Sequence, residues 1–106
     1  MIIYEVNIQL KKNIPENYWS WLDHHISQML LFKGFIAAKI FEEVMDQGTK
    51  SEYSRSLSVH YQIESLSHLE HYLAEHAEKM RAEGKEKFGS YFNATRRVLQ
   101  KWSKEP

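Results

Sequence analysis

The stretch Leu57-Ser58-Val59-His60-Tyr61-Gln62-Ile63-Glu64-Ser65-Leu66-Ser67-His68-Leu69-Glu70-His71-Tyr72-Leu73 changes its hydrophobic period once, around Ser65. Before that point Leu57, Val59, Tyr61 and Ile63 alternate with Ser58, His60 and Gln62, the pattern of a strand with one apolar face. After it, Leu66, Leu69, Tyr72, Leu73, His76, Ala77 and Met80 recur at helical spacing. Ser67-x-x-Glu70 has the form of a capping box, and Ser65 is an equally placed N-cap. The helix runs to Gly84 or on to Gly89.

Working outward from this strand-to-helix junction, Tyr91 to Trp102 reads as a fourth strand, followed by a charged tail at 103–106. Upstream, Asp46-Gln47-Gly48-Thr49-Lys50 is a turn cluster that links the third strand back to a second, Phe35 to Val44. That second strand is apolar on both sides, with Phe35, Ala37 and Phe41 on one and Ile36, Ala38 and Ile40 on the other. Gly34 closes a helix that Pro15 opens. Its apolar residues, from Tyr18, Trp19, Trp21 and Leu22 through His25 and Ile26 to Met29, Leu30 and Phe32, cover about half the circumference. So wide an arc predicts contact with more than one surface. The first strand is a plain alternation, Ile2, Tyr4, Val6, Ile8 and Leu10 against Glu5, Asn7 and Gln9.

Strand, helix, strand, strand, helix, strand is the split βαβ order. Right-handed crossovers place the first and third strands in the middle of a four-stranded antiparallel sheet, with two helices on one face. The expected fold is α+β, ferredoxin-like βαββαβ, as one domain over residues 1–102. A chain of 106 residues suits one domain of this kind. With 42% hydrophobic and 26% charged residues, it has the balance of a globular protein.

Several chemistries are excluded by composition. There is no cysteine, so disulfides, thiolate metal sites and cysteine nucleophiles are ruled out. The 14 basic and 14 acidic residues cancel, which argues against a phosphate-backbone binder and against attachment to anionic membranes. No apolar run approaches the ~20 residues of a membrane span. The opening Met1-Ile2-Ile3-Tyr4-Glu5 puts glutamate where a signal peptide is positive or apolar, so a cytoplasmic location is expected. An RNA-recognition module shares the βαββαβ topology. However, Leu57-Ser58-Val59-His60-Tyr61 lacks its basic, glycine and aromatic signature, and no nucleic-acid partner is expected.

The candidate site residues are the polar groups that sit out of place. His76 falls among Leu69, Tyr72, Leu73 and Met80 on the stripe that should meet the sheet. It is either a neutral core histidine hydrogen-bonded to a tyrosine or a backbone carbonyl, or a general base or haem ligand in a pocket between helix and sheet. His25, at the edge of the first helical arc, admits the same two readings. Tyr4 and Tyr61 are the hydroxyls on the central strands that should point toward such a pocket. Arg96 and Arg97 are adjacent in a strand and so face opposite sides. Whichever approaches the helices needs a carboxylate or a ligand anion. Glu64, His68, His71 and Glu75 form one helical stripe opposite the apolar one, and it is expected to be solvent-exposed and to hold no metal. The polar set Glu5, Asn7, Gln9, Ser58, His60 and Gln62 marks the sheet face away from the helices as either solvated or enclosed by a partner subunit. The two-sided second strand favours enclosure. No Gly-rich phosphate loop, nucleophile elbow or metalloprotease motif is present.

Met1-Ile2-Ile3-Tyr4-Glu5-Val6, Trp21-Leu22 with His25-Ile26, Gly34-Phe35, Tyr72-Leu73-Ala74-Glu75-His76-Ala77, Met80-Arg81, Phe88-Gly89, Phe92 and Arg96-Arg97-Val98-Leu99 together resemble one small family. That family is known only as a domain of unknown function within the dimeric α+β-barrel group of ferredoxin-like folds. The resemblance spans roughly Met1 to Trp102. It implies a homodimer with two sheets face to face. The wider group includes monooxygenases and haem-degrading enzymes with substrate between helix and sheet. In the latter, an asparagine on the first strand, a tryptophan on the third and a histidine on the second helix carry function. Asn7 and His76 match two of these, and the third strand offers Tyr61 in place of tryptophan.

Two functions follow from these observations. The first is a small homodimeric ligand-binding or interaction domain, with no cofactor, whose catalytic set is incomplete. The second is a cofactor-independent or haem-using monooxygenase-like enzyme. The candidate pocket is Tyr4, Asn7, His25, Tyr61, His76, Arg96 and Arg97.

Overall fold

The computed structural model describes residues 1–44 and 52–103. The turn cluster 46–50 and the end of the tail, 104–106, lie outside the described residues. The elements in order are β1 (Ile2–Lys11), α1 (Tyr18–Met29), β2 (Phe35–Glu42), β3 (Tyr53–Ile63), α2 (Leu66–Glu75), α3 (Ala77–Phe88) and β4 (Phe92–Gln100). The sheet order is β2-β3-β1-β4, with every neighbour antiparallel, so β1 and β3 are central as their alternation requires.

The register aligns Ile2 with Ile63, Tyr4 with Tyr61, Val6 with Val59 and Ile8 with Leu57, and this set faces the helices. From α1 the sheet receives Tyr18, Leu22, Ile26 and Met29, spaced to fall on one helical face. From the second helical segment it receives Leu69, Tyr72, Ala77, Met80 and Phe88. Leu10, Ile63 and Leu69 are wholly buried. Burying a side chain of this size contributes about 1.5–3 kcal/mol.

Three local features differ from the sequence expectation. First, the second helix is two. Ser65 is the N-cap, its hydroxyl accepting from the His68 amide, and α2 then stops at His76, whose φ of −129° leaves the helical range. The backbone bonds continue across the break, with the His76 amide donating to Tyr72 O and the Met80 amide to His76 O. Burial passes from Tyr72 directly to Ala77, so His76 is turned to the edge of the stripe.

Second, β2 carries a bulge. Phe35 pairs with Ile63, but Ala37 pairs with Gln62, leaving Ile36 as the extra residue. Past the bulge the faces are exchanged: Ala38 and Ile40 lie on the helix side, and Ala37, Lys39 and Phe41 on the other. The expected grouping of Phe35 with Ala37 and Phe41 is corrected by this one inserted residue.

Third, the back of α2 is only partly solvated. Glu64, His71 and Glu75 are exposed, but His68 is half-buried. Its Nδ1 lies 2.6 Å from the Ser65 hydroxyl. Its ring covers Gly34, where φ is +88° and an added Cβ would fall 2.4 Å from the imidazole. The wide arc of α1 is shared in the same way. Trp19, at the edge of the arc, meets the Arg55 guanidinium of β3 at 4.5 Å from its ring.

Candidate functional site

A cavity of about 60 Å³ lies between the helices and the sheet. That is room for a few waters or the body of a small molecule. β1 brings Tyr4, β3 brings Tyr61, α1 brings Trp21 and His25, α3 brings Met80, Arg81 and Gly84, and β4 brings Arg96. Gly84 is what allows the Trp21 indole to lie across the α3 backbone, since a Cβ there would stand 2.7 Å from the tip of the ring.

Aromatic contacts fix the walls. Tyr4 stacks on Tyr61 at 6.2 Å and meets the edge of Tyr72 at 6.0 Å. Trp21 lies flat on His25 at 4.8 Å. Burial pushes the Tyr72 hydroxyl up to about 12 and moves Tyr61 in the same direction, so both are neutral donors at ordinary pH. Burial also lowers His25, with the Glu83 charge opposing and the Arg96 charge adding to the effect, so its imidazole is held neutral. The buried Nδ1 of His25 has no hydrogen-bond partner among the described residues. Leaving such a group unsatisfied costs on the order of 1–3 kcal/mol.

Where the cavity meets solvent, Arg81 donates to the Tyr4 hydroxyl at 2.9 Å. Arg96 lies against the same hydroxyl and close enough to Arg81 for burial, together with the like charge, to lower its pKa. Among the described residues neither guanidinium has a carboxylate within 4 Å.

The sequence candidates are thus divided. Tyr4, Tyr61, His25 and Arg96 line one cavity. Arg97 is paired with Glu5 in the β1–β4 register and faces the other side of the sheet. There it donates through Nε at 2.5 Å to a Glu5 carboxylate that is 5% exposed. Asn7 donates to the same carboxylate at 2.9 Å, and His60 approaches it at 3.1 Å. These partners, the Arg97 hydrogen bond first, hold Glu5 down at about 2.

His76 is a correction. It lies outside the cavity in a surface cleft with Gln28, Leu31 and Glu83, its ring stacked on Phe32 at 4.6 Å. The break between α2 and α3 puts it there, and half-exposed it needs no buried hydrogen-bond partner. Asn7 and His76 therefore sit on opposite sides of the sheet, and the pair that the haem-degrading arrangement requires is not brought together. Among the described residues no group of three or more His, Cys, Asp or Glu side chains could hold a metal ion. No described helix is long and apolar enough to cross a membrane.

Arg81, Trp21 and Gly84 are site residues that the sequence pattern did not single out. Trp21 and His25, four apart on one helix, carried a readable signal for ring contact. Arg81 carried none, because it follows Met80 at a position that helical periodicity assigns to the flank.

The architecture recurs in solved structures. The protein At3g17210 from Arabidopsis thaliana superposes with a TM-score of 0.71 at 11% identity, over 97% of each chain. SnoaB, a cofactor-independent oxygenase from Streptomyces nogalater, gives 0.65 at 10% identity, over 99% of this chain and 97% of its own. Rv0793 from Mycobacterium tuberculosis gives 0.63 at 15% identity, over the full length of both. At these identities the likeness is one of fold. No curated protein matches the sequence. The family profile that does match covers residues 1–102, nearly the whole chain, and the protein belongs to the family described as a domain of unknown function, DUF4286.

Proposed function

We propose that the protein is a homodimer in which each subunit binds a small organic molecule in the cavity between α1, α3 and the sheet. The observation that carries this is the buried Nδ1 of His25, without a hydrogen-bond partner among the described residues, in the wall of a largely apolar cavity. A small ligand with one donor group would satisfy that nitrogen, and the surrounding rings would cover its apolar part. The set contains no nucleophile with an adjacent base, so binding is the function the residues support.

The homodimer is supported by the sheet face away from the helices. Phe41, half-exposed, packs over His60 there, and Ile3, Ala37 and Leu99 lie around the Glu5–Arg97 pair. A second copy on this face would follow the fold's own geometry, and an obligate interface would bury upwards of ~2,000 Å².

Amide chemical-shift mapping of the labelled protein against a panel of fragments of a few heavy atoms tests the binding. Shifts should cluster on Tyr4, Trp21, His25 and Tyr61. A panel that perturbs none of them refutes it. Light scattering at low micromolar concentration tests the dimer, and a monomer mass there refutes that part.

A further inference from the structure

Arg81 comes from α3 and Arg96 from β4, and the two converge on the hydroxyl of Tyr4. Arginines that line protein cavities ordinarily meet carboxylates. Here the Glu83 carboxylate acts on His25, and no acid lies within ion-pairing distance of either guanidinium among the described residues. The Tyr4 oxygen is already an acceptor for Arg81, so its own hydrogen is free to be donated, and no described residue takes it. Two guanidiniums and a hydroxyl hydrogen, with no carboxylate to receive them among the described residues, therefore stand where the cavity opens. Behind them the walls are apolar, with Val6, Ala94 and Met80 beside the Trp21 indole.

We propose that the ligand of this cavity is a small carboxylate, its short chain inside with the donor group that meets His25 Nδ1, and its two oxygens held at the mouth by Arg81, Arg96 and the Tyr4 hydroxyl. This rests on the cavity being a binding site and adds the class of molecule it takes. A carboxylate between the guanidiniums turns their mutual repulsion into two attractions, and a planar pair of oxygens matches the guanidinium fork. The volume of about 60 Å³ limits the buried chain to a few carbons. Free phosphate has the charge but no part that the apolar wall would cover.

The test uses the wild-type protein with three probes of the mouth: butyrate, a carboxylate without the inner donor group, its neutral isostere butyramide, and inorganic phosphate. Butyrate should shift the amides of Tyr4, Arg81 and Arg96 and bind roughly tenfold or more tightly than butyramide, the usual worth of a hydrogen bond to a charged group. Phosphate should be much weaker. Arg81→Met and Arg96→Met should each weaken butyrate by a similar factor and butyramide by much less. Lys101→Met, which removes the same charge elsewhere, should leave both probes unchanged. Equal binding of butyrate and butyramide overturns the carboxylate class and leaves the cavity as a site for neutral molecules. Phosphate binding as tightly as butyrate overturns it in favour of a plain anion site. Silence from butyrate overturns it outright. If the fragment panel is silent as well, the binding function falls with it. The comparison of probes on the wild-type chain requires no variant to fold.

Discussion

Gly84→Ala sets two effects of opposite sign against each other. In an exposed helix, alanine in place of glycine gains about 1 kcal/mol, because glycine loses more backbone freedom on folding. Gly84 is buried within α3, and its new Cβ would meet Trp21 Cη2 at 2.7 Å and Cζ2 at 3.3 Å. Real contacts of a methyl carbon do not come so close, so the indole must move. It is not free to do so. Trp21 is stacked on His25 at 4.8 Å and packs against Tyr18 at 5.8 Å and Phe88 at 5.7 Å. Overpacking of this kind costs about 1–3 kcal/mol. The steric cost outweighs the helical gain, and the variant should be less stable by up to about 2 kcal/mol despite its better helix former. Urea unfolding followed by tryptophan fluorescence measures this, with an unchanged slope showing that the unfolded state is not the cause. The displaced indole should also alter the cavity, so fragment shifts at His25 should change. A variant stabilised by about 1 kcal/mol, as on a bare helix, would refute the account of Trp21 as a fixed wall.

Glu5 is held at about 2 against an ordinary value of 4.5, so its folded pKa is depressed and its contribution is present above pH 4.5 and lost as pH falls toward about 2. Since the Arg97 side chain is 66% exposed, the pair is worth only about 1 kcal/mol. Glu5→Gln should show that deficit at pH 6 and close it near pH 2, and a gap that does not vary with pH would count against the ion pair. His68→Ala keeps the backbone N–H that Ser65 caps but loses the Nδ1 contact with the Ser65 hydroxyl and the ring over Gly34, and should cost about 1 kcal/mol, while His71→Ala should stay within a few tenths. Thermal unfolding that ranks the two equally would contradict the packing of His68 over Gly34. Gly34→Ala meets both a positive φ of +88° and the His68 ring, so it should destabilise by roughly 2–4 kcal/mol. Retention of wild-type stability in chemical denaturation would show that the turn rearranges freely.

What the sequence by itself determined is what depends on neighbours along the chain. The alternation of Ile2 to Leu10 and of Leu57 to Ile63 and the Ser65 start are local patterns, and the order of elements then leaves one right-handed topology; the Pro15 and Gly34 signals overshoot α1, which runs only from Tyr18 to Met29 between Asn17 and Leu30. That Tyr4 and Tyr61 face the helices follows from the same period of two. Tertiary structure decided the rest, for three physical reasons. A strand's faces exchange on insertion of one residue, and nothing in Phe35-Ile36-Ala37 announces that Ile36 is the extra one. A helix stripe holds only while the helix is unbroken, and at His76 a single backbone angle moved the most suspect histidine out of the core. Convergence between distant elements has no period at all. Arg81 and Tyr4 are 77 residues apart, and Glu5 and Arg97 are 92 apart. Only the β1–β4 register turns Arg96 toward the cavity and Arg97 toward Glu5.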